Sequence, residues 1–284
     1  MTPKRLIDSS DSQVVRDTLG QPDVHDRWIG YYTDELQSFY DAVFDRIEAL
    51  LASREKSIFL DVGCGDGAQS IRLAKRGYPV LALDFSDYVL GRARENVAKK
   101  DLEHLIRCQQ GSALNLPFAD ASFDFVLCCS VLMHIPEVER AISELARVVK
   151  PKGFLVVTEN NMWSVESVLV RMVRRVLGRN VVTRLRGGKA PAELHIRPAG
   201  AEYWRQTDAG PIMCREARIP WLIARFASHG LALEHRTATE FAELHTVPTR
   251  MLKRLLLKFN FAWFRYVHLP QPAMDNLLLF EKTN

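Results

Sequence analysis

The feature that most constrains this chain is a strand-length apolar run that breaks into glycines, Phe59-Leu60-Asp61-Val62-Gly63-Cys64-Gly65-Asp66-Gly67, and continues as a helical pattern to about Gly77. Residues 79–83 repeat the arrangement, ending in Asp84 before a helical stretch over 86–99. Strand, helix, strand and helix in this order predict a parallel sheet with helices on both faces. Further strands are expected near 104–109, at 123–129 and at 154–158, with a helix over 137–149 and a Pro151-Lys152-Gly153 turn before the last. A helix over 33–52 precedes the first strand, with Leu36, Phe39, Tyr40, Val43, Phe44 and Ile47 at helical spacing.

The alternation lapses between 160 and about 215. A helix over 163–177 is followed there by a Gly- and Pro-punctuated stretch that reads as loop, an insertion between strands five and six. The sheet pattern then resumes with a helix over 221–228, a strand at 231–238, a basic apolar helix after Thr249 and a last strand at 276–281. The expected organisation is a helical cap over 1–56, a ligand-binding core over 57–160, a basic inserted helix and loop over 161–215 acting as a substrate cap, and a completion of the sheet over 216–284.

At 284 residues and 47% hydrophobic content, the chain can bury one sizeable core. No uninterrupted apolar run reaches the roughly 18 residues that a bilayer-spanning helix needs. Residues 1–11 lack the architecture of a secretory signal, so the expected location is cytoplasmic. Cys64, Cys108, Cys128, Cys129 and Cys214 have no metal-ligand spacing, and their odd number argues against a disulfide framework; no metal site is expected.

Glycines at 63, 65 and 67 let the backbone turn tightly and let a ligand lie against it. Gly63, Gly65 and Ala68, with Asp84 about 20 residues on, also satisfy a relaxed dinucleotide fingerprint, so an NAD-dependent oxidoreductase is a competing reading. Electrostatics separates the two. A pyrophosphate at the helix start would be repelled by Asp66, whereas S-adenosylmethionine carries a sulfonium and an ammonium that Asp61 and Asp66 favour.

With these motifs in view, residues 58–159 resemble the class I S-adenosylmethionine-dependent methyltransferase family. The resemblance continues through Leu116-Pro117-Phe118, Ser122-Phe123-Asp124-Phe125-Val126, Val131-Leu132-Met133-His134-Ile135 and the stretch from Leu145 to Gly153. It implies a Rossmann-like seven-stranded α/β sheet with helices on both faces, here with an inserted basic helical segment. It further implies Asp84 as acceptor of both ribose hydroxyls, Phe85 as a packing surface for adenine, and Ser112-Ala113 at the adenine edge. Ser112 stands where the family usually has a carboxylate. Asp61, Gly63, Gly65, Asp66 and Gly67 complete the cofactor set, with Cys128 either packing or lining the methionine end through its carbonyl.

Methyl transfer from a sulfonium is an in-line displacement, so a protein must chiefly align the reactants and exclude water. A base matters only for a neutral hydroxyl acceptor, and the candidates are His134, Glu159, His195 and His245. His134 equally fits a hydrogen-bonded histidine at a helix start. Asp124 equally fits a turn-stabilising acid. A non-catalytic cofactor-binding module would keep the glycine turn without turnover.

Charge carries the acceptor clue. Over 160–200, Arg171, Arg174, Arg175, Arg179, Arg184, Arg186, Lys189 and Arg197 face only Glu166 and Glu193, so this window is net +6 against +4 for the whole chain. A second basic apolar stretch runs from Arg250 to His268. Both pack on the core with snorkelling cations, or rest on an anionic membrane surface, or cradle an anionic or lipid-linked acceptor; RNA is the weakest option. Tyr203, Trp204 and Arg197, near His195 and Arg205, are expected to wall the acceptor. The expected activity is O-methylation of a small-molecule, glycan or lipid-linked acceptor, with a quinone, sterol or lipid methylase peripheral at a membrane as the alternative.

Overall fold

The computed structural model describes residues 9–22, 24, 34–52, 54–177, 194–242 and 250–283. Strands β1 (Phe59–Val62), β2 (Val80–Asp84), β3 (Ile106–Gln110), β4 (Phe123–Cys129), β5 (Val149–Asn160), β9 (Leu231–Ala238) and β10 (Asp275–Lys282) form one sheet, ordered β3-β2-β1-β4-β5-β10-β9. β10 runs antiparallel to both neighbours, and the other pairings are parallel.

The strand pleat sorts side chains between two helical layers. Leu60 and Val62, with Val126, Leu155, Val157, Leu278 and Phe280, pack against α5 (Val138–Val148) and α7 (Ile219–Ser228). Phe59, Phe125, Leu127, Val156, Leu277 and Leu279 pack on the other face against α2 (Asp34–Leu51), α3 (Ala68–Lys75) and α4 (Asp87–Ala98). Both faces are buried, which is why these strands read as continuous apolar runs. The strand order reverses between β1 and β4, so a crevice opens at their carboxyl ends, the place where open α/β sheets bind ligands.

One segment departs from the sequence expectation. The stretch after α6 (Val165–Leu177) that reads as loop contains a three-stranded antiparallel sheet, β6 (His195–Arg197), β7 (Gly200–Thr207) and β8 (Gly210–Ala217). Its period-2 signal is erased because both faces of β8 are covered and a charge pair is buried within it. Arg215 Nε donates to Glu202 Oε1 at 2.8 Å, and the two side chains are only 3% and 7% exposed. In α1 (Ser9–Leu19), within the region expected as a helical cap, Val15 and Leu19, with Val24, pack on Ile212, Met213 and Cys214 of β8. Arg179, Arg184, Arg186, Lys189, Glu193 and His245 lie outside the described residues.

Candidate active site

A cavity of about 490 Å³ lies over the carboxyl ends of β1, β2 and β4, roofed by β7, β8 and α1. Its floor is the glycine turn. Gly63 sits at φ +73°, and a Cβ there would lie 2.5 Å from Val131 Cγ2, so only glycine lets the turn pass beneath that side chain. Gly65, at φ +56°, has nothing within 4 Å of where its Cβ would stand, so its bare backbone faces open cavity.

Asp84 braces this turn. One carboxylate oxygen accepts from Gly65 N at 3.1 Å and the other from Ser86 N at 3.0 Å, and an ionised carboxylate is an acceptor of the kind that ligand hydroxyls need. Ser86 in turn caps α4 by accepting from Val89 N. Asp66 Oδ1 accepts from Ala68 N at 3.3 Å, placing a carboxylate where a pyrophosphate would meet the start of α3. The site therefore disfavours NAD and suits a nucleoside that carries positive charge and no phosphate.

Of the residues expected to hold cofactor, Gly63, Gly65, Asp66, Asp84, Phe85, Ser112 and Ala113 line the cavity together. Ser112 Oγ accepts from Leu114 N at 3.2 Å and retains a second lone pair for the adenine edge. Asp61, Gly67 and Cys128 are not among the lining residues. Asp61 is buried under the turn, where Ser70 Oγ donates to it at 2.6 Å. Burial pushes its carboxyl up to about 7 against that hydrogen bond, with the charge of Asp84 adding to the rise. Gly67 packs against α4, 3.3 Å from its would-be Cβ to Ala93 Cβ. Cys128 is fully buried, and its neighbour Cys129 reaches the cavity instead.

The expected bases separate as well. His134 lines the cavity, and its Nδ1 lies 2.8 Å from the Met213 carbonyl of β8. Glu159 is buried behind the wall, accepting from Met133 N at 3.3 Å; burial pushes it up to about 8 against the opposing charge of Arg215. His195 is exposed on β6, away from the lining. Among the expected acceptor-wall residues, Tyr203 lines the cavity, whereas Trp204 and Arg197 do not; Arg197 Nε lies 3.9 Å from Glu202. Asp124 is paired with Lys150 at 2.8 Å and lies outside the cavity.

Sequence reasoning missed the walls contributed from afar. Ser12 and Arg16 of α1, and Met274 and Asp275 at the start of β10, all line the cavity, as does Arg205 of β7 from the segment expected to wall the acceptor. Tyr40 also does, donating to Glu240 Oε1 at 2.8 Å across 200 positions of sequence. Asp275 Oδ1 is buried with no hydrogen-bond partner, and burial pushes the carboxyl up to about 6 against a hydrogen bond from Thr239. The spacing of Val15 and Leu19, one helical turn apart, is the signal that could have found α1.

A doubly wound sheet with an acid-braced glycine turn and no place for a pyrophosphate defines the class of α/β enzymes that bind S-adenosylmethionine. Comparison with known proteins agrees. Residues 60–157 match the methyltransferase domain family. The chain is 30% identical over 221 residues to 27-O-demethylrifamycin SV methyltransferase of Amycolatopsis mediterranei (strain S699), covering 75% of this chain and 79% of that protein. It is also 30% identical over 170 residues to demethylmenaquinone methyltransferase of Desulfitobacterium hafniense (strain Y51), 55% of this chain and 63%, less than two thirds, of that one. The magnesium protoporphyrin IX methyltransferase of Synechocystis PCC 6803, solved with bound SAH, shares the fold at TM-score 0.58 and 17% identity, over 95% of this chain and 99% of that one. This chain belongs to the class I S-adenosylmethionine-dependent methyltransferase family.

When bound, S-adenosylmethionine supplies a methyl group activated by a sulfonium. The roof formed by β7, β8 and α1 covers one side of the cavity, and the glycine turn leaves room for close backbone contact.

Proposed function

We propose that the chain methylates a hydroxyl oxygen of a small organic acceptor, with His134 taking the hydroxyl proton. The observation that carries this reading is the 2.8 Å contact of His134 Nδ1 with the Met213 carbonyl. A carbonyl only accepts, so Nδ1 holds the proton and Nε2 of the neutral ring is the basic nitrogen. A base in the cavity serves an oxygen nucleophile, which must lose a proton as it is alkylated.

The cofactor role goes to Gly63, Gly65, Asp66, Asp84, Phe85, Ser112 and Ala113. Met133, Tyr203, Ile212 and Met274 offer a mainly apolar wall for the acceptor, and Asp275 Oδ1 offers one hydrogen-bond acceptor for a second polar group on it. The two relatives, named for a demethylrifamycin and a demethylmenaquinone, support an acceptor of this size and character. Delivery of a lipid-linked or quinone-like acceptor from a membrane surface is a second reading, favoured by the exposed apolar faces of α6 and of α8 (Arg250–Ala262). Among the described residues, no helix is long and apolar enough to cross a membrane.

The test is turnover with S-adenosylmethionine and a panel of hydroxylated polyketides and quinols, with the methylated atom located by NMR. His134→Gln is expected to lower kcat about 100- to 10,000-fold while leaving cofactor affinity unchanged. Unchanged kcat would remove the base, and a product methylated at carbon would remove the hydroxyl assignment.

A further inference from the structure

Sixteen large hydrophobic side chains are exposed among the described residues, and twelve of them fall in just two segments, 163–176 and 251–269. On α6, Val165, Leu169, Met172 and Val176 recur at i, i+4, i+7 and i+11 and are 43–78% exposed. That is the spacing of a stripe that a globular helix buries, here turned to solvent. On α8, Leu257 and Asn260 are buried against the sheet layer, while Met251, Leu255 and Phe259 recur at i, i+4 and i+8 on the opposite side. Met251 is 81% exposed and Leu255 is 64% exposed. Patches of this extent on a soluble domain mark interaction sites.

Charge identifies the partner. From 250 to 274 the chain carries Arg250, Lys253, Arg254, Lys258 and Arg265 and no Asp or Glu. Lys258 is exposed beside the apolar stripe, and Lys253 and Arg265 are exposed elsewhere on the same segment. On α6, Arg171 is occupied by Glu216 at 2.8 Å and lies over the Trp163 ring, and Arg175 is exposed. Apolar side chains flanked by cations, with no acid over 250–274 and Glu166 alone on α6, are what helices lying in the headgroup region of an anionic bilayer present.

The start of α6 is tied to the loop that follows α8 and its terminal turn. Val165 N donates to the Pro272 carbonyl at 3.0 Å, and Asn161 Nδ2 donates to the Gln271 carbonyl at 2.8 Å. Met274 and Asp275, the next residues along, line the cavity. We infer that the outward faces of α6 and α8 form a docking surface for an anionic lipid bilayer, set beside the end of the cavity where the acceptor enters. This deepens the membrane-delivery reading and does not depend on His134 or on the atom methylated.

The full chain should be floated with vesicles of phosphatidylcholine alone and of phosphatidylcholine mixed with phosphatidylglycerol. Flotation is expected only with the anionic vesicles, and less of it at high salt. Met251→Glu with Leu255→Glu should lower partitioning about tenfold or more, and Lys258→Gln about fivefold. These exposed positions lie outside the cofactor machinery, so S-adenosylmethionine binding should be unchanged and reports that the variants are folded. Absent flotation, equal flotation of the paired variant, or self-association that Leu255→Glu abolishes would overturn the proposal, the last assigning the face to a second copy of the chain. Loss of methyl transfer in His134→Gln with flotation intact would leave the surface assignment standing.

Discussion

Replacing Arg215 with Met removes the link that ties the three-stranded sheet to the cavity wall. Besides its 2.8 Å bond to Glu202, the guanidinium donates through Nη1 to the carbonyls of Leu132 and Ile135 at 2.8 and 3.0 Å, and through Nη2 to that of Pro136 at 3.4 Å. Met fills similar volume with no donor, so Glu202 stays buried with Arg197, 3.9 Å away, as the remaining cation paired with it among the described residues. Breaking a buried pair on one side costs about 3–5 kcal/mol, because an uncompensated charge is left in low dielectric. For a chain of 284 residues the unfolding entropy is about 0.6 kcal/mol per degree, so Tm should drop by about 5–8 °C. The paired variant, Arg215→Met with Glu202→Leu, removes both charges and should recover most of that loss. Calorimetric melts of the wild type and both variants measure it. A drop below about 2 °C for the single variant, or a paired variant no better than the single one, would refute the reasoning. The 3₁₀ turn Leu132–His134 hangs from these same bonds, so kcat should fall in the single variant even below its Tm.

Gly63→Ala should weaken S-adenosylmethionine binding and lower Tm, because its Cβ meets Val131 at a left-handed backbone angle; adding Val131→Ala should restore part of both by clearing the contact. Asp84→Asn keeps one acceptor oxygen but loses the charge, and titration calorimetry should report cofactor affinity weaker by about 1–3 kcal/mol. Glu159 gives a pH signature: folded, it holds its proton up to about 8, against an ordinary value of 4.5. Between those values the native state binds more protons than the unfolded one, so this group lowers stability as pH rises. Thermal melts of Glu159→Gln should lose part of that decline, and an identical slope to wild type would show that Glu159 does not carry it.

The parts of the fold that were legible in the sequence are those where one physical demand dominates. Strands buried on both faces leave continuous apolar runs, and a turn that must pass under Val131 leaves a glycine, so the succession of strands and the cofactor floor could be read from Phe59 to Cys129. The antiparallel sheet over 195–217 could not, because Glu202 and Arg215 are polar by residue type yet satisfied by each other inside the protein. Chemistry-bearing residues misled for a similar reason. Glu159 and Asp61 look like site acids because they end strands beside the crevice, but the pleat turns them into the protein and away from the cavity lining. The contributions of α1, Tyr40 and Asp275 come from far along the chain, and only tertiary packing brings them to the cavity.

The most direct test of the central claim is calorimetric titration of the full chain with S-adenosylmethionine, S-adenosylhomocysteine and NAD in parallel. The acid-braced glycine turn predicts micromolar binding of the first two, weakened in Asp84→Asn, and none of NAD. Binding of NAD alone, or S-adenosylmethionine affinity indifferent to both Asp84→Asn and Gly63→Ala, would contradict it.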